Sequence, residues 1–310
     1  MRELNKPFTE SYLFSKTGSG NTQLGCRMTP TMSLRPPRQT LYVSIREAYD
    51  MCPIFFDTAG TYGTAEHLLG KSFKNPKKLD HLFLPKSLYH KQHHEELSII
   101  LLKIKSKTAG NNYIWIPFPW FFYIVLRVMI FYSSLIDVLH ELKQRGIVKK
   151  WVITTFGLSV PLRAIEYPKI FSFIQIPYNL LDQLTLSVIE SLPNAPLFTF
   201  IARSIFLQEL LTKKKTSYST PFSPLNPFKN KMEKIATRFD LSLSETCLPY
   251  AAYNSSIGIT IFCTQSNRKL RTNLNNYLKG PINTDIIEVI DDISVERLDL
   301  LDPLNWQQIR

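Results

Sequence analysis

Between Ile54 and Phe73 the chain reads IFFDTAGTYGTAEHLLGKSF. Three apolar residues are followed by a polar turn punctuated by glycines, then by apolar residues at Ala65, Leu68, Leu69 and Phe73. The first three fit a buried strand and the later spacing fits one face of a helix. The same succession recurs along the chain. LDHLFLPKSLY is a short strand, with the helical stretch Gln92 to Ile104 after it, and NNYIWIPFPW predicts a fourth strand. DVLHELKQRG is an amphipathic helix with Val138, Leu139 and Leu142 inward. KKWVITTF, FSFIQIPYNLLDQ, PLFTFIARSIFLQELL and Ile257 to Phe262 predict strands five to eight. Helical spacing also appears at Leu41 to Met51, Lys231 to Phe239, Ser244 to Tyr253 and within QSNRKLRTNLNNYL. Lys213 to Phe228 is polar and proline-rich, a loop, and the tail from Ile286 to Arg310 predicts a capping helix. Strands alternating with helices predict an α/β fold, a (β/α)8 TIM barrel, with residues 1–310 as a single domain.

In such a fold the polar residues at strand exits carry the chemistry. Asp57 ends the strand before the glycine-punctuated turn, and Tyr62 lies within that turn. Lys86 ends the next strand and needs a counter-charge; Asp57 supplies one if the two strands are neighbours, whereas a lysine that snorkels to solvent needs none. His90, His93 and His94 with Glu95 and Glu96 open a helix, where acids suit the macrodipole, and read as a solvated helix start rather than a metal site. TGSGNTQLG has no strand before it and no helix after it, so it does not read as a phosphate loop.

Residues Phe56 to Gly70 resemble a motif of the aldo-keto reductases, F-D-T-A-x-x-Y-G-x-x-E-x-x-L-G, at every specified position. The resemblance implies hydride transfer from a reduced nicotinamide to a carbonyl, with Tyr62 as proton donor. Lys86 would favour the phenolate of Tyr62, and Asp57 would keep Lys86 charged and aimed. KKWVITTF is similar to the family's R-x-x-G-x-S-N-F, which gives Thr154 and Thr155 the places that hold the nicotinamide carboxamide, with Val152 where glycine is usual. Gln175 matches the other carboxamide contact. ARSIFLQELL is similar to the pyrophosphate loop A-R-S-x-F-L-Q-G-L-L, with Arg203 against the nicotinamide, Ser204 at phosphate, and Glu209 replacing glycine. In the last barrel helix Lys269 takes the place of the 2'-phosphate arginine and Asn273 that of the adenine contact. The resemblance also makes residues 1 to 22 a covering hairpin and puts the first barrel strand at about Gln23 to Met28.

One departure bears on turnover. The family carries strand–His–x–Pro at the fourth strand, and the alignment puts Pro117 in the histidine's place. Loss of such a donor costs about 100- to 1000-fold. The expected function is therefore an NADP(H)-dependent reductase of aldehydes or ketones, or an oxidant of the alcohol or sugar, with impaired activity; NAD(H) is the alternative cofactor. A catalytically inactive barrel that binds nicotinamide nucleotide or another protein is the alternative function.

Composition changes this picture little. The net charge of +12 is spread over the chain and shows no nucleic-acid motif, so nucleic acid is not an expected partner; a small carbonyl compound or sugar is. The four cysteines lack metal or redox spacing and fit a reducing cytoplasm, and the first residues carry no signal-like apolar run. Trp115 to Ile136 is almost wholly apolar, but Pro117 and Pro119 shorten any helix to about 17 residues and Arg127 at mid-span would cost about 2.5 to 3.5 kcal/mol. It reads as a greasy pocket segment rather than a membrane span. Eleven glycines are few for a fold with many tight turns, so side chains fill places where backbones otherwise approach closely. Substrate identity and oligomeric state have no signature in the chain.

Overall fold

The computed structural model describes four N-terminal strands as backbone, and residues 133–306 apart from 146–149, 155–156, 213–216, 263–266, 294 and 304. The strands are β1 (Leu13–Ser15), β2 (Phe56–Thr58), β3 (Phe83–Pro85), β4 (Phe122–Val125), β5 (Lys150–Thr154), β6 (Phe171–Pro177), β7 (Thr199–Arg203) and β8 (Ile257–Phe262). All pairings are parallel. One sheet runs β1-β8-β7-β6-β5-β4 and another holds β2 and β3. β1 adjoins β2 and β3 adjoins β4, so the two sheets close into a ring. The fold is a (β/α)8 barrel.

Parallel strands covered on both faces carry nearly continuous apolar runs. Trp151, Val152 and Ile153 of β5, Ile174 and Ile176 of β6, and Phe200, Ile201 and Ala202 of β7 are all buried. The outer layer contains α1 (Ser133–Gln144), α2 (Ser159–Ala164), α3 (Leu184–Glu190), α4 (Asn226–Arg238), α5 (Leu243–Ala252), α6 (Asn267–Leu278) and α7 (Thr284–Asp291). In α1, Ile136 and Leu139 face the core, and the Leu139 carbonyl accepts a hydrogen bond from Trp151 Nε1 at 2.8 Å, tying helix to strand. α5 starts at a reciprocal cap between Ser242 and Glu245. α7 starts where Asn283 Oδ1 accepts from the Asp285 N–H at 2.7 Å. The tail is fastened by Trp306, whose Nε1 donates to the Leu300 carbonyl at 2.9 Å and whose ring meets Phe222 edge-on at 4.7 Å.

Gly258 shows where a missing side chain is required. A Cβ there would lie 2.4 Å from Thr199 Cγ2, so glycine lets β8 pack against the start of β7.

Three sequence expectations are corrected. The strand beside β8 is Leu13–Ser15, so this segment belongs to the barrel sheet and not to a covering hairpin. The fourth strand is Phe122–Val125, beyond the expected NNYIWIPFPW, and Pro117 precedes it instead of ending it. Each residue of the proline-free FYIV has the N–H that the ladder to β5 can use, which Pro117 and Pro119 lack. The long apolar run is thereby divided between β4 and the start of α1, and no helix among the described residues is long and apolar enough to cross a membrane. The helix α4 begins at Asn226, after a short 3-10 turn at Ser223–Leu225, so the polar loop is also shorter than expected.

Candidate functional site

The carboxyl ends of β5, β6 and β7 bring four of the expected residues to one rim. Thr154 lies opposite Gln175, and Pro177 opposite Arg203, in the strand register. Thr154 Oγ1 donates to Gln175 Oε1 at 2.8 Å, and Gln175 is fully buried. A buried amide held by a hydroxyl on the next strand is fixed in orientation, which suits recognition of another planar amide.

Arg203 closes β7 and is buried despite its charge. Its Nη1 donates to Ser204 Oγ at 3.1 Å. Asp182 is the nearby acid: burial pushes its carboxyl up to about 7, the positive charge of Arg203 opposes that rise, and Asp302 adds to it. Asn179 bridges the two segments. Its Nδ2 donates to the Ser204 carbonyl at 3.3 Å, its Oδ1 accepts from the Leu181 N–H at 3.0 Å, and its backbone pairs with that of Asp182.

Beyond Arg203 the chain turns through left-handed backbone, with φ of +58° at Ser204, +42° at Leu207, +51° at Gln208 and +69° at Glu209. Such a run of non-glycine residues stores strain and is concentrated where a loop is shaped for a ligand. Gln208 Oε1 in this loop is buried and has no hydrogen-bond partner among the described residues. Glu209, standing where the motif has glycine, pairs with Lys269 on α6. Asn273 lies one helical turn further along the same helix and is half-buried.

The site residues predicted from sequence are thus brought together in two groups, Thr154 with Gln175 and Arg203 with Ser204, while Lys269 meets Glu209. Tyr62, Lys86, Thr155 and Pro117 lie outside the described residues, and Asp57 is described as backbone alone. β2 and β3 are neighbours in register, Asp57 opposite Leu84 and Thr58 opposite Pro85, which is the adjacency that pairing of Asp57 with Lys86 requires. Asn179 and Asp182 were missed by the sequence reading. Their signal was present as polar residues just past an apolar strand, the same signal that marked Asp57 and Lys86.

At its strand exits the parallel barrel thus presents a buried amide tied to a threonine hydroxyl and a buried guanidinium beside a serine hydroxyl, with Lys269 on α6 paired to the loop that follows. The family model described as Aldo/keto reductase family matches residues 23–295. The chain belongs to the aldo/keto reductase family, oxidoreductases that act on small-molecule carbonyl compounds. A comparison with curated proteins gives no match. Among solved structures, the holo form of the aldo-keto reductase AKR11C1 from Bacillus halodurans is 16% identical, with a TM-score of 0.63 over 86% of this chain and 92% of that one. An aldo-keto reductase from Klebsiella pneumoniae, solved in complex with NADPH, is 12% identical, with a TM-score of 0.61 over 94% of this chain and 93% of that one. At these identities the likeness concerns the fold.

Proposed function

We propose that the chain is a single-domain, cytoplasmic, NADP(H)-dependent oxidoreductase that reduces aldehydes or ketones, or runs the reverse oxidation of an alcohol or sugar, with Tyr62 as proton donor. The observation that supports this reading is the parallel pairing of β2 with β3, Asp57 opposite Leu84, because Asp57 belongs to β2 and Lys86 is the next residue in sequence after β3. When bound, the reduced nicotinamide supplies hydride. Tyr62 delivers a proton to the carbonyl oxygen as negative charge builds on it. Lys86 makes the phenolate left on Tyr62 less costly, and Asp57 keeps that lysine protonated.

Thr154, Thr155 and Gln175 are the residues to hold the carboxamide, Arg203 and Ser204 to hold the nicotinamide face and phosphate, and Lys269 and Asn273 to hold the adenosine end. The Thr154–Gln175 hydrogen bond and the buried Arg203 support that assignment. Low turnover belongs to the proposal. Pro117 lies ahead of β4 in the chain, and no histidine occurs between His94 and His140, so the exit of β4 has none in sequence to offer.

Titration with NADPH and with NADH, followed by tryptophan fluorescence, tests the nucleotide half of the proposal before any substrate is known. Saturation in the micromolar range is expected. Folded protein that binds neither nucleotide would point to the alternative, a barrel kept as an interaction module.

A further inference from the structure

The loop leaving β7 is built around a carboxylate where the family motif has glycine. Leu207, Gln208 and Glu209 all take positive φ, an arrangement that residues with a Cβ adopt at a cost. The turn carries Glu209 to α6, where Lys269 Nζ donates to its Oε1. These residues are 60 apart in sequence, so the contact is a property of the fold. The lysine side chain is half-exposed and the glutamate about a quarter exposed, which leaves the pair open to competition from a stronger anion. Lysine presents a point charge without the fork of arginine, so its attraction is set by which anion is nearest and most charged.

We propose that Glu209 determines nucleotide specificity by competing, from inside the protein, for Lys269 against the 2'-phosphate of NADP(H). This deepens the nicotinamide reading above and rests on it. A 2'-phosphate must displace the Glu209 carboxylate from Lys269 and then lie beside it, and the like charges oppose binding. The uncharged 2'-hydroxyl of NAD(H) makes neither demand, so the ion pair stays closed. Glu209 thus narrows the preference for NADP(H) that Lys269 alone would give.

The test compares wild type with Glu209→Gln, which keeps the shape and removes the charge, and with Lys269→Met. Ligands are NADPH, NADH, adenosine 2',5'-bisphosphate and 5'-AMP, titrated by calorimetry, with far-ultraviolet circular dichroism to establish that each variant folds. Glu209→Gln is expected to tighten NADPH and the bisphosphate about five-fold, the factor a partly exposed ion pair carries, and to leave NADH and 5'-AMP within about two-fold. Lys269→Met is expected to weaken NADPH to about the affinity of NADH. Equal tightening of all four ligands by Glu209→Gln would overturn the inference, since the carboxylate would then be acting on phosphates common to both nucleotides. So would a Lys269→Met variant that binds NADPH as wild type does. Binding of no nucleotide by any of the three proteins would overturn the nicotinamide reading itself, an outcome distinct from either of those.

Discussion

Replacing Arg203 by methionine is predicted to steepen the dependence of stability on pH. In the wild type, burial raises the Asp182 carboxyl from its ordinary 3.8 to about 7, while Arg203 restrains the rise. A carboxyl with a raised value binds its proton more tightly when folded than when unfolded. Its contribution to stability is therefore fully present below about pH 4 and is lost as pH climbs to about 7, a change of ~4 kcal/mol across that window. Removing Arg203 removes the restraint, so the value rises further and the loss continues above pH 7. Each additional pH unit adds ~1.4 kcal/mol.

The variant also gives up the charged hydrogen bond from Arg203 to Ser204 Oγ, at 3.1 Å, worth about 1.5 to 3 kcal/mol at any pH. The expected deficit relative to wild type is thus larger near pH 8 than near pH 5 by about 1 to 2 kcal/mol. Urea unfolding followed by tryptophan fluorescence at several pH values measures it, with Asp182→Asn as the control that should flatten the profile in the presence of Arg203. A constant deficit from about pH 5 to pH 8 would refute the reasoning, because it would mean that Arg203 and Asp182 do not share a field.

Gly258→Ala should lower stability by about 1 to 3 kcal/mol, because its Cβ would meet Thr199 Cγ2 at 2.4 Å. Adding Thr199→Ser, which deletes that methyl group, should restore most of the loss in thermal denaturation, and failure to do so would place the clash elsewhere. Thr154→Val removes the donor that holds Gln175 and should lower stability by about 1 kcal/mol and weaken NADPH about five-fold. Unchanged NADPH affinity in that variant would show that the Thr154–Gln175 pair does not face the nucleotide.

The C-terminal half of the barrel was legible because its strands are short apolar runs between clear helical patterns. Ile257–Phe262 was read to the residue, and KKWVITTF and FSFIQIP contain β5 and β6. β4 was not legible in the same way. From Trp115 to Ile136 almost every residue is apolar, so there is no period to fix where a strand sits, and the motif drew the register toward Pro117. The strand sits at the proline-free Phe122–Val125, whose N–H groups can serve the ladder to β5. β1 is three residues long, too short for any alternation to mark it.

The candidate site divides along a similar line. Gln175, Arg203 and Ser204 are polar residues at the ends of apolar strands, and a sequence displays that contrast directly. The pairing of Glu209 with Lys269 depends on a left-handed turn that the residues LQE do not announce, and on a fold that brings together positions 60 apart. Sequence alone could see that Glu209 departs from the motif and would repel a diphosphate unless turned outward. It could not see which cation would receive it.

The measurement that tests the central claim most directly is aldehyde-dependent oxidation of NADPH by purified wild type and by Tyr62→Phe, over a panel of aromatic and aliphatic aldehydes. The account predicts slow but saturable turnover by wild type, falling by about 100-fold or more when the phenol hydroxyl is removed, with NADPH affinity retained. Turnover that survives unchanged in Tyr62→Phe would contradict it, because the proton would then come from a group other than the one on which the proposed chemistry rests.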